Sequence, residues 1–145
     1  MPLVAAGVAA AIVSAPALAH AAPVTTTLVQ RVNAANLAAG KAGSPYQWGA
    51  VGPRRFDCSG LIVFAYQAIR HPLAARTSQQ FARLGAKVSR ARLRKGDLVF
   101  TYASGFGHMG IYLGRNRYVH APGAGRRVVV ATLPTGSAFK GAVRP

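Results

Sequence analysis

A chain of 145 residues is long enough for one domain and hardly for two, and its single cysteine, Cys58, rules out an internal disulfide. Lys and Arg number 18 against two acids, Asp57 and Asp97, for a formal net charge of +16, a field that attracts polyanions. The basic residues form no stripe interleaved with aromatics, which argues against specific nucleic-acid binding.

The first 21 residues contain no acid, lysine or arginine. An apolar run from Leu3 to Val13 is followed by Pro16 and small residues, and both Ala17-Leu18-Ala19 and Ala19-His20-Ala21 fit a cleavage site. The expectation is a secretory signal peptide over residues 1–21, although its start carries no positive charge. A retained membrane anchor is the rival, but the run falls short of the ~20 apolar residues that a span needs. Export with cleavage places the remainder outside the cytoplasm, secreted or in the cell envelope, with no stable membrane insertion. A lone free thiol in an oxidising compartment then needs a reason to be there.

Thr25 to Ala39 carries Leu28, Val29, Val32 and Leu37 between polar residues, which predicts an amphipathic helix with a threonine cap and an end at Gly40. A glycine- and proline-punctuated loop runs from Tyr46 to Phe56. Cys58 to Ile69 is apolar on every side, the mark of a buried helix, with Asp57 as its N-cap and His71-Pro72 as its stop. Thr77 to Leu84 suits a short capped helix. Beyond Gly85 the pattern turns to strands: Asp97–Tyr102, His108–Leu113, Tyr118–Ala121 and Arg127–Leu133, joined by turns at 104–107 and 114–117. Helices first and strands after give an α+β class, N-terminal helices packed on an antiparallel sheet.

Cys58 would sit in the first turn of a helix, where unsatisfied amides and the dipole favour an anion. Those amides and a nearby imidazolium are expected to lower the thiol pKa, and the same amides can receive an oxyanion. The base must be histidine. His20 falls in the leader and His71 at an exposed helix end, so His108 and His120 on adjacent strands are the candidates. A small buried structural thiol, with two ordinary histidines, is the plain alternative; a Cys58/His108/His120 zinc site is a third.

Six phrases occur in order: "GSPYQWGA", "FDCSGLIVFAYQ", "ARTSQQF", "LRKGDLVF", "GHMGIYLG" and "YVHAPGAG". Together they resemble the NlpC-type cell-wall cysteine peptidases, which are papain-like in fold, and they cover essentially all of residues 24–145. The resemblance implies that this stretch is the catalytic domain, with Cys58 as nucleophile, His108 as general base and His120 orienting the His108 ring. It implies that Tyr46 helps form the oxyanion site, and that Asp57, Ser59 and Ser78 line the substrate pocket, where an acid can meet a peptide amine. Asp97 in "KGDLVF" is expected to be a structural turn residue. The family's double glycine after tryptophan is Gly49-Ala50 here. The implied activity is a peptidoglycan endopeptidase cutting the stem peptide between γ-linked D-glutamate and a diamino acid, with no metal or other cofactor. Peptidoglycan stem peptides, and by charge anionic cell-wall polymers, are the implied partners. An amidase of the same chemistry and a non-catalytic wall- or polyanion-binding module are the alternatives.

Overall fold

The structure, a computed structural model, describes residues 10–12, 14 and 24–145. The leader expected over residues 1–21 lies outside the described residues apart from those four positions. Among the described residues no helix is long and apolar enough to cross a membrane.

Leu28–Ala39 forms helix α1, three residues shorter at its start than expected. Thr27 is the cap: its hydroxyl accepts the Gln30 amide at 3.2 Å while the Gln30 side chain accepts the Thr27 amide at 2.8 Å, so two orphan donors are satisfied reciprocally. The face turned inward is not the expected one. Arg31, Ala34, Ala35 and Ala38 are buried, whereas Leu28 and Val29 stand 53% and 67% exposed. The small side chains face the core because α1 lies directly against the next helix, and alanines let the two backbones approach.

That next helix, α2, spans Cys58–Ala68 and starts at the expected cap, Asp57, whose carboxylate accepts the Gly60 amide at 2.6 Å. Gly60 is required here. A Cβ at this position would collide with the Ala50 carbonyl, so glycine lets the 46–56 loop lie flat on the helix start. The Asp57 amide fastens that approach by donating to the same Ala50 carbonyl at 2.9 Å. Ser78–Phe81 forms the one-turn helix α3 under a second reciprocal cap, Thr77 with Gln80.

Six strands follow: β1 (Ala86–Lys87), β2 (Leu98–Thr101), β3 (Met109–Gly114), β4 (Arg117–His120), β5 (Val129–Thr132) and β6 (Phe139–Arg144). They form one antiparallel sheet in the order β1-β6-β2-β3-β4-β5. The meander β2 to β5 matches the expectation to within a residue or two at each end. β1 and β6 were not expected: β1 has only two residues, and Lys140 and Gly141 interrupt the apolar pattern of β6. Helix α2 packs Leu61, Ile62, Ala65 and Tyr66 against one sheet face, where Leu98, Phe100, Met109, Ile111 and Val119 complete the core. Val99, Tyr118, Leu133 and Ala142 form a smaller cluster apart from this core.

Asp97 is structural, as expected of a turn residue, but more deeply so. It is 0% exposed, takes Arg144 Nε and Nη2 at 2.8 Å each, and accepts the Arg94 amide at 2.8 Å. This pair joins the end of β6 to the start of β2. Removing one partner of such a pair costs roughly 3–5 kcal/mol, because the other charge is left without compensation.

Candidate active site

Three segments meet at the start of α2. Cys58 is its first residue and is only partly covered. The 46–57 loop contributes Tyr46, Trp48 and Gly49, and the β2–β3 connection contributes Gly107 and His108. Cys58 lies where two cavities join. One, of 330 Å³, is walled by Asp57, Ser59, Arg76 and Ser78; the other, of 410 Å³, by His108, His120, Pro122 and Arg126. Tyr46, Trp48, Cys58 and Gly107 line both, so together the two cavities make one cleft crossing the thiol.

Register brings the histidines together. His108 immediately precedes β3, and His120 closes β4 on the neighbouring strand, where Ile111 pairs with Val119. Gly110 lies between them, and a Cβ there would crowd the Val119 carbonyl, the Tyr118 ring and the Cβ of His120. His108 Nε2 and His120 Nδ1 are 2.7 Å apart, a hydrogen bond between the two rings. The His120 ring is stacked on Tyr118, centroids 4.5 Å apart and planes within 20°, which fixes its plane. The Tyr118 hydroxyl is in turn 3.3 Å from Thr101 Oγ1. Committing Nε2 to His120 leaves Nδ1 as the His108 nitrogen without a partner among the described residues, in the cavity that Cys58 also lines. The zinc alternative would draw on Cys58 and the other two ring nitrogens, His108 Nδ1 and His120 Nε2, but among the described residues no three His, Cys, Asp or Glu side chains are placed to hold a metal ion.

The electrostatics depart from the sequence expectation. Burial pushes the Cys58 thiol pKa up, and the adjacent Asp57 charge adds to the rise. The backbone amides of Met109, Ser59 and Cys58 pull it down, but by less. Burial also lowers both imidazoles, with the Arg126 charge contributing in each case; His120, further opposed by His108, is pushed down to about 4. These directions favour a thiol and neutral imidazoles at rest. The expected imidazolium, which was to stabilise a thiolate, is disfavoured by the same burial that shelters the sulfur.

Asp57 lines the cleft, but its oxygens are already committed. Oδ1 accepts Gly60 N, Ser59 Oγ at 3.3 Å and Arg76 Nη1 at 3.2 Å; Oδ2 accepts Gly49 N at 3.0 Å and Arg76 Nη2 at 2.8 Å. Arg76 also donates to Ser59 Oγ at 2.8 Å. A peptide amine at this position would have to displace the guanidinium. Ser59 and Ser78 are buried walls of the same cavity, 5% exposed each. The Tyr46 hydroxyl has no hydrogen-bond partner among the described residues, and its pKa is raised by burial and by Cys58 and Asp57 close by. His71 stays at the end of α2, 3.3 Å from the Gln30 side chain and outside the cleft.

Trp48, Arg76 and Arg126 are among the lining residues that were not singled out from the sequence. Trp48 and Arg76 lie inside quoted phrases, between residues that were named. Arg126, in the 121–128 connection, carried no mark beyond being one arginine among many.

Comparison with known proteins gives a consistent picture. Residues 43–142 match the NlpC/P60 family. A probable endopeptidase of Corynebacterium glutamicum is 46% identical over 112 residues, 77% of this chain and 51% of that protein. The murein DD-endopeptidase MepH of Escherichia coli is 36% identical over 97 residues, 63% of this chain and 36% of the relative. The solved structure of a hypothetical invasion protein of Mycobacterium tuberculosis superposes with a TM-score of 0.69 at 28% identity, over 80% of this chain and 62% of that one. The chain thus spans about half the length, or less, of these curated relatives.

The electrostatics set the pH response of the cysteine. A thiol held above its ordinary pKa carries little thiolate at neutral pH, and the thiolate fraction climbs as pH rises toward that pKa. Alkylation of Cys58 by iodoacetamide should therefore be slow at about pH 6 and accelerate roughly tenfold per pH unit through about pH 8. A rate that is already flat below neutrality would mean a preformed thiolate–imidazolium pair and would contradict the assignment.

Proposed function

This chain belongs to the NlpC/P60 family and has its papain-like α+β fold, and on that premise we propose that it is an exported peptidoglycan endopeptidase working through Cys58, His108 and His120. The observation that carries the proposal is the cleft itself: a lone cysteine at a capped helix start shares one cavity with two hydrogen-bonded histidines. The names of the curated relatives, endopeptidases including a murein endopeptidase, support the substrate class. The apolar, small-residue leader supports export, and anionic wall polymers are the proposed docking partner for a surface whose two acids are both buried.

The chemistry follows from the geometry. His108 Nδ1 takes the thiol proton as the sulfur attacks the carbonyl carbon, so charge separation occurs only when substrate is present. The oxyanion meets the amides at the start of α2 and the unpartnered Tyr46 hydroxyl. His120 accepts the Nε2 proton of His108 in a hydrogen bond and so holds the base in the tautomer with Nδ1 bare. The imidazolium formed in attack gives its proton to the leaving amine, and the C–N bond breaks to leave a thioester. His108 then removes a proton from water; the hydroxide attacks the thioester, and the thiol regains its proton. No metal enters this sequence of steps.

The bond proposed is that between γ-linked D-glutamate and the diamino acid of the stem peptide. The name of MepH favours a second reading, cleavage of a D,D peptide bond. Mass spectrometry of purified wall digested with the protein separates the two, and an amidase as well, by the new termini. Cys58→Ala should release nothing while leaving the circular dichroism unchanged. His108→Ala should lose roughly 10³-fold in rate, and His120→Ala less, because it acts through the base. Full activity in Cys58→Ala would end the cysteine mechanism.

The charge should act on docking and not on chemistry. Screening sets in over about 10 Å at 0.1 M salt. Raising salt from low to moderate should release the protein from intact wall while cleavage of a small soluble muropeptide changes little. Equal salt dependence for both would place the field's effect at the site itself.

A further inference from the structure

We propose that Arg126 selects substrates by binding a free carboxylate on the leaving-group side of the scissile bond, an inference that rests on the endopeptidase reading above.

The cleft has a direction. His108 must deliver a proton to the departing amine, so the leaving fragment lies on the His108 side of Cys58, in the 410 Å³ cavity. The acyl fragment lies on the other side, against Ser59, Arg76 and Ser78. Among the described residues, Arg126 is the only Lys or Arg that lines the leaving-group cavity. Its exposed guanidinium has no acid to meet, because the chain's two acids are held by Arg76 and Arg144. It makes no hydrogen bond to a described residue, whereas its neighbour Arg127 is committed to the Gly43 carbonyl at 2.8 Å.

The backbone beneath Arg126 is held. Its amide donates to the Gly123 carbonyl at 3.1 Å, and its carbonyl accepts the Tyr46 amide at 3.0 Å. Tyr46 lines both halves of the cleft, so the loop that presents Arg126 is tied to the wall of the site. The charge is also felt where the chemistry occurs, since it lowers both imidazoles. A planar fork of donors with no partner, at the rim of a partly enclosed cavity, is suited to a carboxylate. The ligand class is an acidic peptide fragment whose new amine faces His108 and whose free carboxylate reaches the rim. A fragment with the same shape and a carboxamide in place of the carboxylate lacks the charge that would pair with the guanidinium.

The test compares two soluble stem peptides that differ only in having the leaving residue's carboxylates free or amidated. Each is offered to the wild type, Arg126→Gln and Arg126→Glu, with folding checked by circular dichroism. Wild type should favour the free acid by about tenfold in kcat/KM, the scale of one charge-assisted pair at a partly exposed site. Arg126→Gln should bring the ratio close to one, and Arg126→Glu should invert it. A preference that survives in Arg126→Gln, or its absence in the wild type, overturns the proposal and leaves the endopeptidase reading standing. A second arm measures calorimetric binding of the free and amidated leaving fragments to Cys58→Ala protein, with and without Arg126→Gln. Acid-selective binding that Arg126→Gln removes, with no cleavage of either peptide by wild type, would uphold the carboxylate site and remove the endopeptidase reading. Neither binding nor cleavage would overturn both.

Discussion

One carboxylate holds this site together. Asp57 caps α2 through Gly60, fixes the 46–57 loop through the Gly49 amide, and anchors the segment before α3 through the two-pronged bond from Arg76. Each of these segments supplies part of the cleft: the cysteine, the Tyr46–Trp48 wall, and Ser78. The chain has only one other acid, Asp97, and it performs a similar task for the sheet by closing β6 onto β2. Both acids are buried and paired, so the positive charge faces outward without local compensation.

The two sides of the cleft differ in consequence. On the Asp57 side, the cation and anion satisfy each other, and the cavity is walled by hydroxyls and a neutralised pair. On the histidine side, the Arg126 guanidinium has no hydrogen-bond partner among the described residues, and burial disfavours the imidazolium form of both rings. A thiol whose pKa is held up carries little thiolate at neutral pH, and the thiolate is the form that oxidises. The arrangement trades ready nucleophilicity at rest for a proton transfer that occurs within the cleft.

Much of this was legible from local chemistry. Asp57 before an apolar run marked the start of α2, and glycine turns marked β3, which His108 immediately precedes, and β4, which His120 closes. The β2–β5 meander followed from the same signals. What escaped depended on distant partners. The inner face of α1 is made of alanines because α2 lies close, and nothing in its own period reveals that. β6 is a strand because β1 and β2 flank it, despite Lys140 and Gly141. The thiol pKa was expected to fall from the helix amides and a nearby imidazolium, yet burial and Asp57 outweigh the amides and the imidazoles are themselves lowered. Arg126 was invisible because only the tertiary fold brings residues 107–108, 120 and 126 to one cavity.

The account turns on the protonation of a single ring. If His120 holds His108 as a neutral base, a long-range ¹H–¹⁵N correlation spectrum at neutral pH should show the His108 Nε2 protonated and its Nδ1 bare. The His120→Ala variant should lose that bias between the two tautomers. A His108 protonated at Nδ1, or at both nitrogens, in the resting protein would contradict the account, because no base would then face Cys58.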